Sequence, residues 1–506
     1  MQFCSHDLLT GAHDFSKFQT VNESPIITRQ ARAETESDQE QIICLIADCE
    51  VTFPPNYFAD LMDVFCNKDV AVVYSDFEFN SEFKLGDSHI RPPSWSPERF
   101  LSNDFMGPVI ALDFAKFSSA SGSHTRTSLM LECLTRNLEV KLLQTVGYSV
   151  SPLNLNLHSE SRKFEIQNYL DKNRTGSEVS KDSTPWLEIS NKRLAPDLIS
   201  VVIPTRGAKK SRRSNELIVD CVTSLTQQSL GTSKVEVVLV YDTDCKKDYL
   251  EKVMKLETDS VSIKLVAYDP PFNFSAKCNL GASNASGEAI LFLNDDTVFR
   301  TPDSLIELAG SAMIENVGAV GAKLFFENGK LQHGGYILTR GFIGHAYFRD
   351  VDGFGPFGDL AITHEVVGVT GACLGQRKEV WETLGGWDAS FPGAYNDIDY
   401  CFRIREQGLS ILQVNSARLY HYESITRNPT VKPEETKMIN EKWRGAFGSE
   451  PYFRQAVTQP EVTYLRGAVI QDYSRYIQTT YRHHGFSGVV KIFSNGLNKV
   501  RKRVFS

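Results

Sequence analysis

Two acidic clusters in this chain stand where carboxylates can do chemistry. The first is Asn294-Asp295-Asp296, directly after the apolar run Ile290-Leu291-Phe292-Leu293. Such a run reads as a buried strand. Carboxylates at its tip are costly unless they meet a cation. An open α/β sheet presents ligands at the carboxyl ends of its strands. The pattern therefore points to a divalent metal at a sheet edge, beside a phosphorylated ligand. The plainer reading is an acidic strand-to-helix turn, with an Asp capping the helix after Thr301-Pro302. The second cluster is Asn396-Asp397-Ile398-Asp399. Strand alternation or helical entry puts its two acids on different faces. A helix N-terminus favours the ionised, proton-accepting carboxylate.

The elements that must position these acids alternate in type. Ile199-Ser200-Val201-Val202-Ile203-Pro204 opens an α/β unit. Leu217, Ile218, Cys221, Val222 and Leu225 have helical spacing, and strands are expected over 235–241 and 263–267. Ser275 is placed to cap a helix running to about Ala285. This alternation predicts an α/β fold with a mostly parallel, doubly wound sheet. Thr370-Gly371-Ala372 puts small residues on a strand, where a ligand can approach closely. Gln332-His333-Gly334-Gly335 and His345 either edge a pocket or make a turn, and the Gly353–Gly358 segment reads as a mobile closing loop or a plain surface loop.

The chain has 506 residues, enough for roughly two to four domains. Its formal net charge of -8 disfavours nucleic acid as a partner. Ten cysteines without a CxxC pair suggest reduced, mostly buried thiols and a cytoplasmic setting. No secretory leader is expected from MQFCSHDLLTGAHDF, and no apolar stretch approaches the ~18 residues that a membrane span needs. Near the end, Lys491, Lys499, Arg501, Lys502 and Arg503 accompany Val489, Phe493, Leu497, Val500 and Val504 on one helical face. Such a helix lies on an anionic membrane surface or docks on its own domain.

The expected organisation is a polar, disordered stretch over 1–40, an α/β domain over 41–158 and a polar connector over 159–197. A second α/β domain follows over 198–450, then a helical segment with the basic tail over 451–506. The two domains share a repeat. Laying Cys44–Tyr74 over Leu291–Gly321 matches Pro55 with Pro302, Leu61 with Leu308, Val70 with Val317 and Val73 with Val320. A shifted register matches Gly107 with Gly371 and Gly122 with Gly386, and LHSES around His158 echoes YHYES around His421. The first copy has lost the acids. Ala47-Asp48-Cys49 stands for the first cluster and Arg126-Thr127-Ser128 for the second. About 40 residues precede its first strand, too few for a further strand-helix-strand nucleotide half, so a non-catalytic packing or acceptor-handling role is expected.

A family resemblance rests on six segments in order: ISVVIPTR at 199–206, FNFSAKCNLGASNASGEAILFLNDDT at 272–297, VGAVGAKLFFENGKLQHGG at 317–335, VTGACLGQRKEVWETLGGWD at 369–388, YNDIDYCFRIREQG at 395–408 and LYHYESITR at 419–427. Residues 199–427 resemble a family 2 inverting glycosyltransferase of the GT-A (Rossmann-like) fold, in the bacterial rhamnosyltransferase-like group that builds surface polysaccharides such as O-antigen and capsule. YSDFEF (74–79) and SWSPERFLSNDFMG (94–107) resemble the partial, degenerate GT-A-like domain that leads tandem members of this group.

The resemblance implies transfer of a sugar from a nucleoside diphosphate sugar (UDP- or dTDP-linked) to a glycan or lipid-linked acceptor, at the inner face of the plasma membrane. It implies Mg²⁺ or Mn²⁺ held by Asp296 and His421, with Asn294 and Asp295 beside the nucleotide sugar. Asp397 becomes the catalytic base. Pro204, Thr205, Arg206, Lys277, Asn279 and Gly281 fall on the nucleotide side, while Gly371, Ala372, Trp387, Asp388 and Asp399 fall on the acceptor side. The sequence departs from the family's Asp-x-Asp, which here begins with Asn294. It departs again where an Asp usually reads the base, since either Tyr241 or Asp242 takes that place. The alternatives are a sugar nucleotidyltransferase, for which Arg206–Arg213 would supply the basic loop, and a non-catalytic carbohydrate-binding scaffold.

Overall fold

The computed structural model describes residues 30–33, 41–47 and 51–454, apart from 80–88, 118–124, 151–159, 181–185, 210–215, 245–246, 270, 340–341, 423–432, 447 and 449. The expectations for His158, Gly122 and the basic tail fall outside these residues; of the stretch 1–40 expected to be disordered, Gln30–Ala33 is described and forms a strand.

Two sheets organise the chain. The second runs in the order Val261–Tyr268, Lys234–Asp242, Leu198–Thr205, Ala289–Leu293, Cys373–Arg377, Val317–Phe325, Ser410–His421 and Thr297–Phe299. Its first four strands are parallel, and Cys373–Arg377 runs against both neighbours. The central strands are continuous apolar runs because helices cover both faces. This is a mixed, mostly parallel α/β sheet. The helix expected behind Ser275 spans Phe274–Ser283, but Asn273 caps it, accepting from the Ala276 N–H at 3.0 Å. Ser275 points inward instead and donates to the Phe391 carbonyl.

The first sheet runs Gln30–Ala33, Gln41–Ala47, Val109–Asp113, Val70–Phe79, Glu139–Val150 and Val51–Thr52. From Gln41–Ala47 onward it repeats the later half of the second sheet strand for strand, in order and direction. The helices Tyr57–Phe65 and Ser304–Ala312 both have nine residues, and Arg126–Arg136 and Asn396–Glu406 both have eleven. Even an irregularity recurs. Pairing skips one residue between Val70 and Val72, and again between Val317 and Ala319. Ala47 pairs with Val109 as Leu293 pairs with Cys373, so Gly107 and Gly371 occupy the same place two residues earlier. Thr127 is the second residue of its helix, as Asp397 is of the other. Where the second sheet continues into three further parallel strands, the first ends in the short antiparallel strand Gln30–Ala33.

Charged groups join the two units. Arg99, with 0% exposure, gives Nη1 to Asp359 at 2.6 Å and to the Phe357 carbonyl at 3.2 Å. Glu98 holds Arg174 through two hydrogen bonds, and Glu365 accepts from the Glu98 N–H and the Ser96 hydroxyl. Phe357, at φ +53°, packs against the first unit's core, and Phe354 meets Trp186 edge-on at 4.9 Å. The 353–358 segment is thus neither a closing loop nor a plain surface loop. It is a docking element, because its half-buried aromatic rings pack against residues of the first unit.

The polar stretch after residue 159 is also built in. It holds the helix Glu160–Asn173 and the hairpin Glu178–Ser180 with Glu188–Ser190. Ser190 and the Asn191 N–H then bond the Glu307 carboxylate of the helix Ser304–Ala312. That helix carries Gly310, where a Cβ would lie 1.9 Å from the Asn191 carbonyl oxygen. Only glycine lets the two backbones cross so closely.

Burial pushes the Glu365 carboxyl up to about 7, with the neighbouring Glu98 charge adding to it. The unfolded group ionises near the ordinary glutamate value, so the folded state binds the extra proton between there and about 7. Stability therefore falls as pH rises through that window. Glu365→Gln should remove a cost of about 3 kcal/mol at pH above ~7. Denaturant melts at about pH 5 and pH 8 check this. A stability difference between variant and wild type that does not change with pH would refute it.

Candidate active site

Ala289–Leu293 is buried throughout and ends at Asn294, whose N–H donates to the Ala372 carbonyl at 3.0 Å. Thr297 closes the turn by donating to the Asn294 carbonyl. Asp295 turns toward the nucleotide side and accepts from the Thr205 hydroxyl at 2.6 Å. Burial, and then the Asp296 charge, hold its carboxyl above the ordinary aspartate range. Asp296 turns the other way. Its Oδ1 is buried, receives no hydrogen bond and faces His421 Nε2 at 3.2 Å.

The His421 tautomer explains that contact. Nδ1 lies 2.8 Å from Gln332 Oε1, an acceptor, so Nδ1 carries the hydrogen. The Gln332 amide donates back to the His421 carbonyl, and Asn294 Nδ2 lies 3.3 Å from Nε2. A ring carrying its hydrogen on Nδ1 alone would present a lone pair to a carboxylate oxygen. A cation between them, or a second proton on the ring, satisfies both. Among the described residues no three His, Cys, Asp or Glu side chains gather into a closed metal cage. A Mg²⁺-type ion needs only one or two protein ligands where phosphates and water supply the rest.

On the nucleotide side, Pro204 and Thr205 end their strand opposite Val240 and Tyr241. Asp242, one residue on, turns inward to Lys277 Nζ at 2.7 Å and Arg206 Nε at 3.1 Å, while Tyr241 lies under the Lys247 ammonium. Asp242 is thus the residue of this pair that joins the cluster. Lys277 is 1% exposed and also donates to the Thr205 carbonyl, so it braces the strand end rather than lying solvated. Arg206 is ion-paired to Asp242 and Asp244, while residues 210–213 of the basic segment fall outside the described residues. Two expected nucleotide contacts lie elsewhere. Asn279 bonds Trp387 N and O and Trp381 Nε1, which fixes the Gly386–Trp387 turn. Gly281 is a packing position, where a Cβ would strike Val202 at 2.3 Å.

The second acid is held from several sides. Asp397 Oδ2 accepts from Tyr336 OH at 2.7 Å, Gly371 N–H at 2.9 Å and Thr370 Oγ1 at 3.2 Å. Oδ1 accepts only the Ile398 N–H among the hydrogen bonds seen here. The residue before the helix, Tyr395, has φ +60°, a strained conformation for a tyrosine that sets the helix start. Burial and the Asp397 charge push the Tyr336 phenol up, so it stays a donor. Tyr336 has no signal in the sequence beyond following QHGG.

Three acceptor-side expectations need correction. Asp399 is fully buried and bonds Arg403, Lys442 and Trp443 on the other face of the helix, which leaves no surface for an acceptor. Trp387 stacks on Tyr400 at 4.6 Å with 2% exposure, so it is a core residue whose edge backs Gly371. Asp388 closes its own turn through Ser390 and pairs with Lys442. Gly371 and Ala372 lie between the turn that opens at Asn294 and the helix start that carries Asp397. Ala372 holds Asn294 and Gly371 holds Asp397, so consecutive residues link the two clusters across about one Cα step.

Residues 196–448, half of the chain, match the family described as Glycosyltransferase like family 2, and the chain belongs to that family. It is 26% identical over 435 residues to the O-antigen biosynthesis protein RfbC of Myxococcus xanthus, covering 81% of this chain and 33% of the relative. It is 28% identical over 267 residues to the uncharacterized protein y4gI of Sinorhizobium fredii (strain NBRC 101917 / NGR234), covering 51% and 28%. The chain thus spans about a third of the length of these relatives. Among solved structures it is similar to GalNAc-T7 with UDP, GalNAc and Mn²⁺, at 15% identity and a TM-score of 0.40, covering 59% of this chain and 57% of the other. It is also similar to the mannosyltransferase PcManGT of Pyrobaculum calidifontis with GDP-Man and Mn²⁺, at 14% identity and a TM-score of 0.36, covering 63% and 84%.

Proposed function

We propose that this chain is an inverting, metal-dependent glycosyltransferase that moves a sugar from a nucleoside diphosphate sugar to a glycan or lipid-linked acceptor in surface polysaccharide assembly. One observation supports the reading: the turn that carries Asp296 and the helix start that carries Asp397, far apart in sequence, are tied to consecutive residues, through Asn294 N–H on the Ala372 carbonyl and Gly371 N–H on the Asp397 carboxylate. A bound Mg²⁺ or Mn²⁺ supplies charge neutralisation for the departing diphosphate. Asp296 Oδ1 and His421 Nε2 are the groups fitted to hold it. Thr205, Asp242 and Asp295 line the nucleotide side. Asp397 Oδ1 takes the proton of the acceptor hydroxyl as that oxygen attacks the sugar from the face opposite the diphosphate. Tyr336, Thr370 and Gly371 hold the other oxygen still, which orients the base. The leading unit, with Thr127 in the place of Asp397, is non-catalytic.

The donor, the acceptor and the inner membrane face remain part of this proposal. The O-antigen role of the Myxococcus relative supports the surface polysaccharide setting, and Mn²⁺ and nucleotide sugars named for the GT-A structures agree with the donor class. Among the described residues no helix is long and apolar enough to cross a membrane. The test is a panel of UDP-, dTDP- and GDP-sugars with Mn²⁺ or Mg²⁺, read as nucleoside diphosphate release. Turnover of one donor class, abolished by EDTA, is expected. Pyrophosphate release from a nucleoside triphosphate and a sugar phosphate would replace this reading with nucleotidyl transfer. Binding without turnover would favour the scaffold.

A further inference from the structure

An aromatic path leads outward from Asp397. Tyr336, whose hydroxyl bonds that carboxylate, has its ring 5.2 Å from the His345 ring. His345 is exposed, and its ring lies 6.0 Å from that of Phe348. Phe348 is 46% exposed, and Val351 on the same turn is 59% exposed. Singly exposed apolar side chains are ordinary. This one is presented by unusual backbone. Tyr347 and Arg349, on either side of it, both have positive φ, +57° and +62°. Non-glycine residues adopt that conformation at a cost, and two around one exposed ring mark a turn held for a purpose.

The turn is also fixed in place. Ala346 N–H donates to the Gly335 carbonyl and Arg349 N–H to the Leu331 carbonyl, while Leu331 N–H returns to the Asp350 carbonyl. The Tyr347 hydroxyl bonds Asp359. Phe326 packs edge-on to the Phe348 ring at 5.5 Å, and the Arg349 guanidinium lies 5.3 Å from its centroid. Phe348 stays 46% exposed with the guanidinium lying over its ring, and an exposed apolar ring beside hydrogen-bond donors matches a pyranose, which has an apolar C–H face and a rim of hydroxyls.

We propose that Phe348, with His345 and Arg349 beside it, is a stacking platform for a sugar ring of the acceptor glycan, outward of the sugar whose hydroxyl meets Asp397. This deepens the glycosyltransferase reading and rests on it. The platform favours an acceptor of at least two sugars over a free monosaccharide, because only a longer chain reaches from the base to the turn.

The test uses the full chain with UDP and Mn²⁺ on an array of bacterial surface-polysaccharide fragments, comparing wild type, Phe348→Ala and Phe348→Trp, with a thermal melt of each. Phe348→Ala should weaken glycan binding about tenfold, while Phe348→Trp retains it. Equal binding by wild type and Phe348→Ala overturns the platform, as does equal loss in both variants. No glycan binding by a wild type that turns over a nucleotide sugar overturns the platform alone. Absence of both binding and donor turnover overturns the glycosyltransferase reading with it.

Discussion

Asp397→Asn should lower turnover roughly 10³-fold while leaving the fold and donor binding intact, since a positioned general base contributes about 10²–10⁴. The substitution is nearly isosteric. Its amide oxygen can take over the Oδ2 place, where Tyr336, Thr370 and Gly371 all donate. The amide nitrogen then occupies the Oδ1 place, where the proton must land. It also faces the Ile398 N–H, a small local loss at the helix start. Steady-state rates with a donor and acceptor found by the sugar-nucleotide panel, beside a thermal melt, check this. Full turnover in the variant would remove Asp397 from the base role.

Asp296→Asn is expected to separate function from stability in the opposite sense. Wild-type Asp296 keeps a buried oxygen that receives no hydrogen bond and faces His421 Nε2. Such a group costs folding free energy until a cation arrives. The variant should therefore melt no lower than wild type, because its amide donates to Nε2. Its turnover should fall at least about 100-fold, by analogy with losing one group that stabilises developing charge. Melts under Mn²⁺ and UDP titration give the second readout. Wild type should gain stability with ligand and the variant should not. An equal Mn²⁺-dependent rise in both proteins would place the ion elsewhere.

Parts of this site were legible because local rules govern them. An apolar run ending in Asn294-Asp295-Asp296 locates a strand tip, and acids opening an amphipathic helix locate Asp397. The duplicated pattern carried over because strand and helix lengths survive when side chains change, as the matching helices Tyr57–Phe65 and Ser304–Ala312 demonstrate. Tyr336, Asn279 and Asp399 were not legible. Their roles depend on which neighbour a fold brings beside them, and no periodicity encodes that. The Gly-rich 353–358 segment failed for a related reason. Glycines and a proline announce a turn, but only the partner sheet decides whether its rings are covered.

The charged seam between the sheets makes the halves obligate companions. Severing the chain near residue 197 would strip Asp359 of Arg99, Glu365 of Ser96 and Glu98, and Glu307 of Ser190 and Asn191. The acid-bearing half would then carry three carboxylates stripped of these partners, with Asp359 keeping, among the described residues, only the Tyr347 hydroxyl. The leading copy, although stripped of its acids, supplies the partners that keep these carboxylates paired.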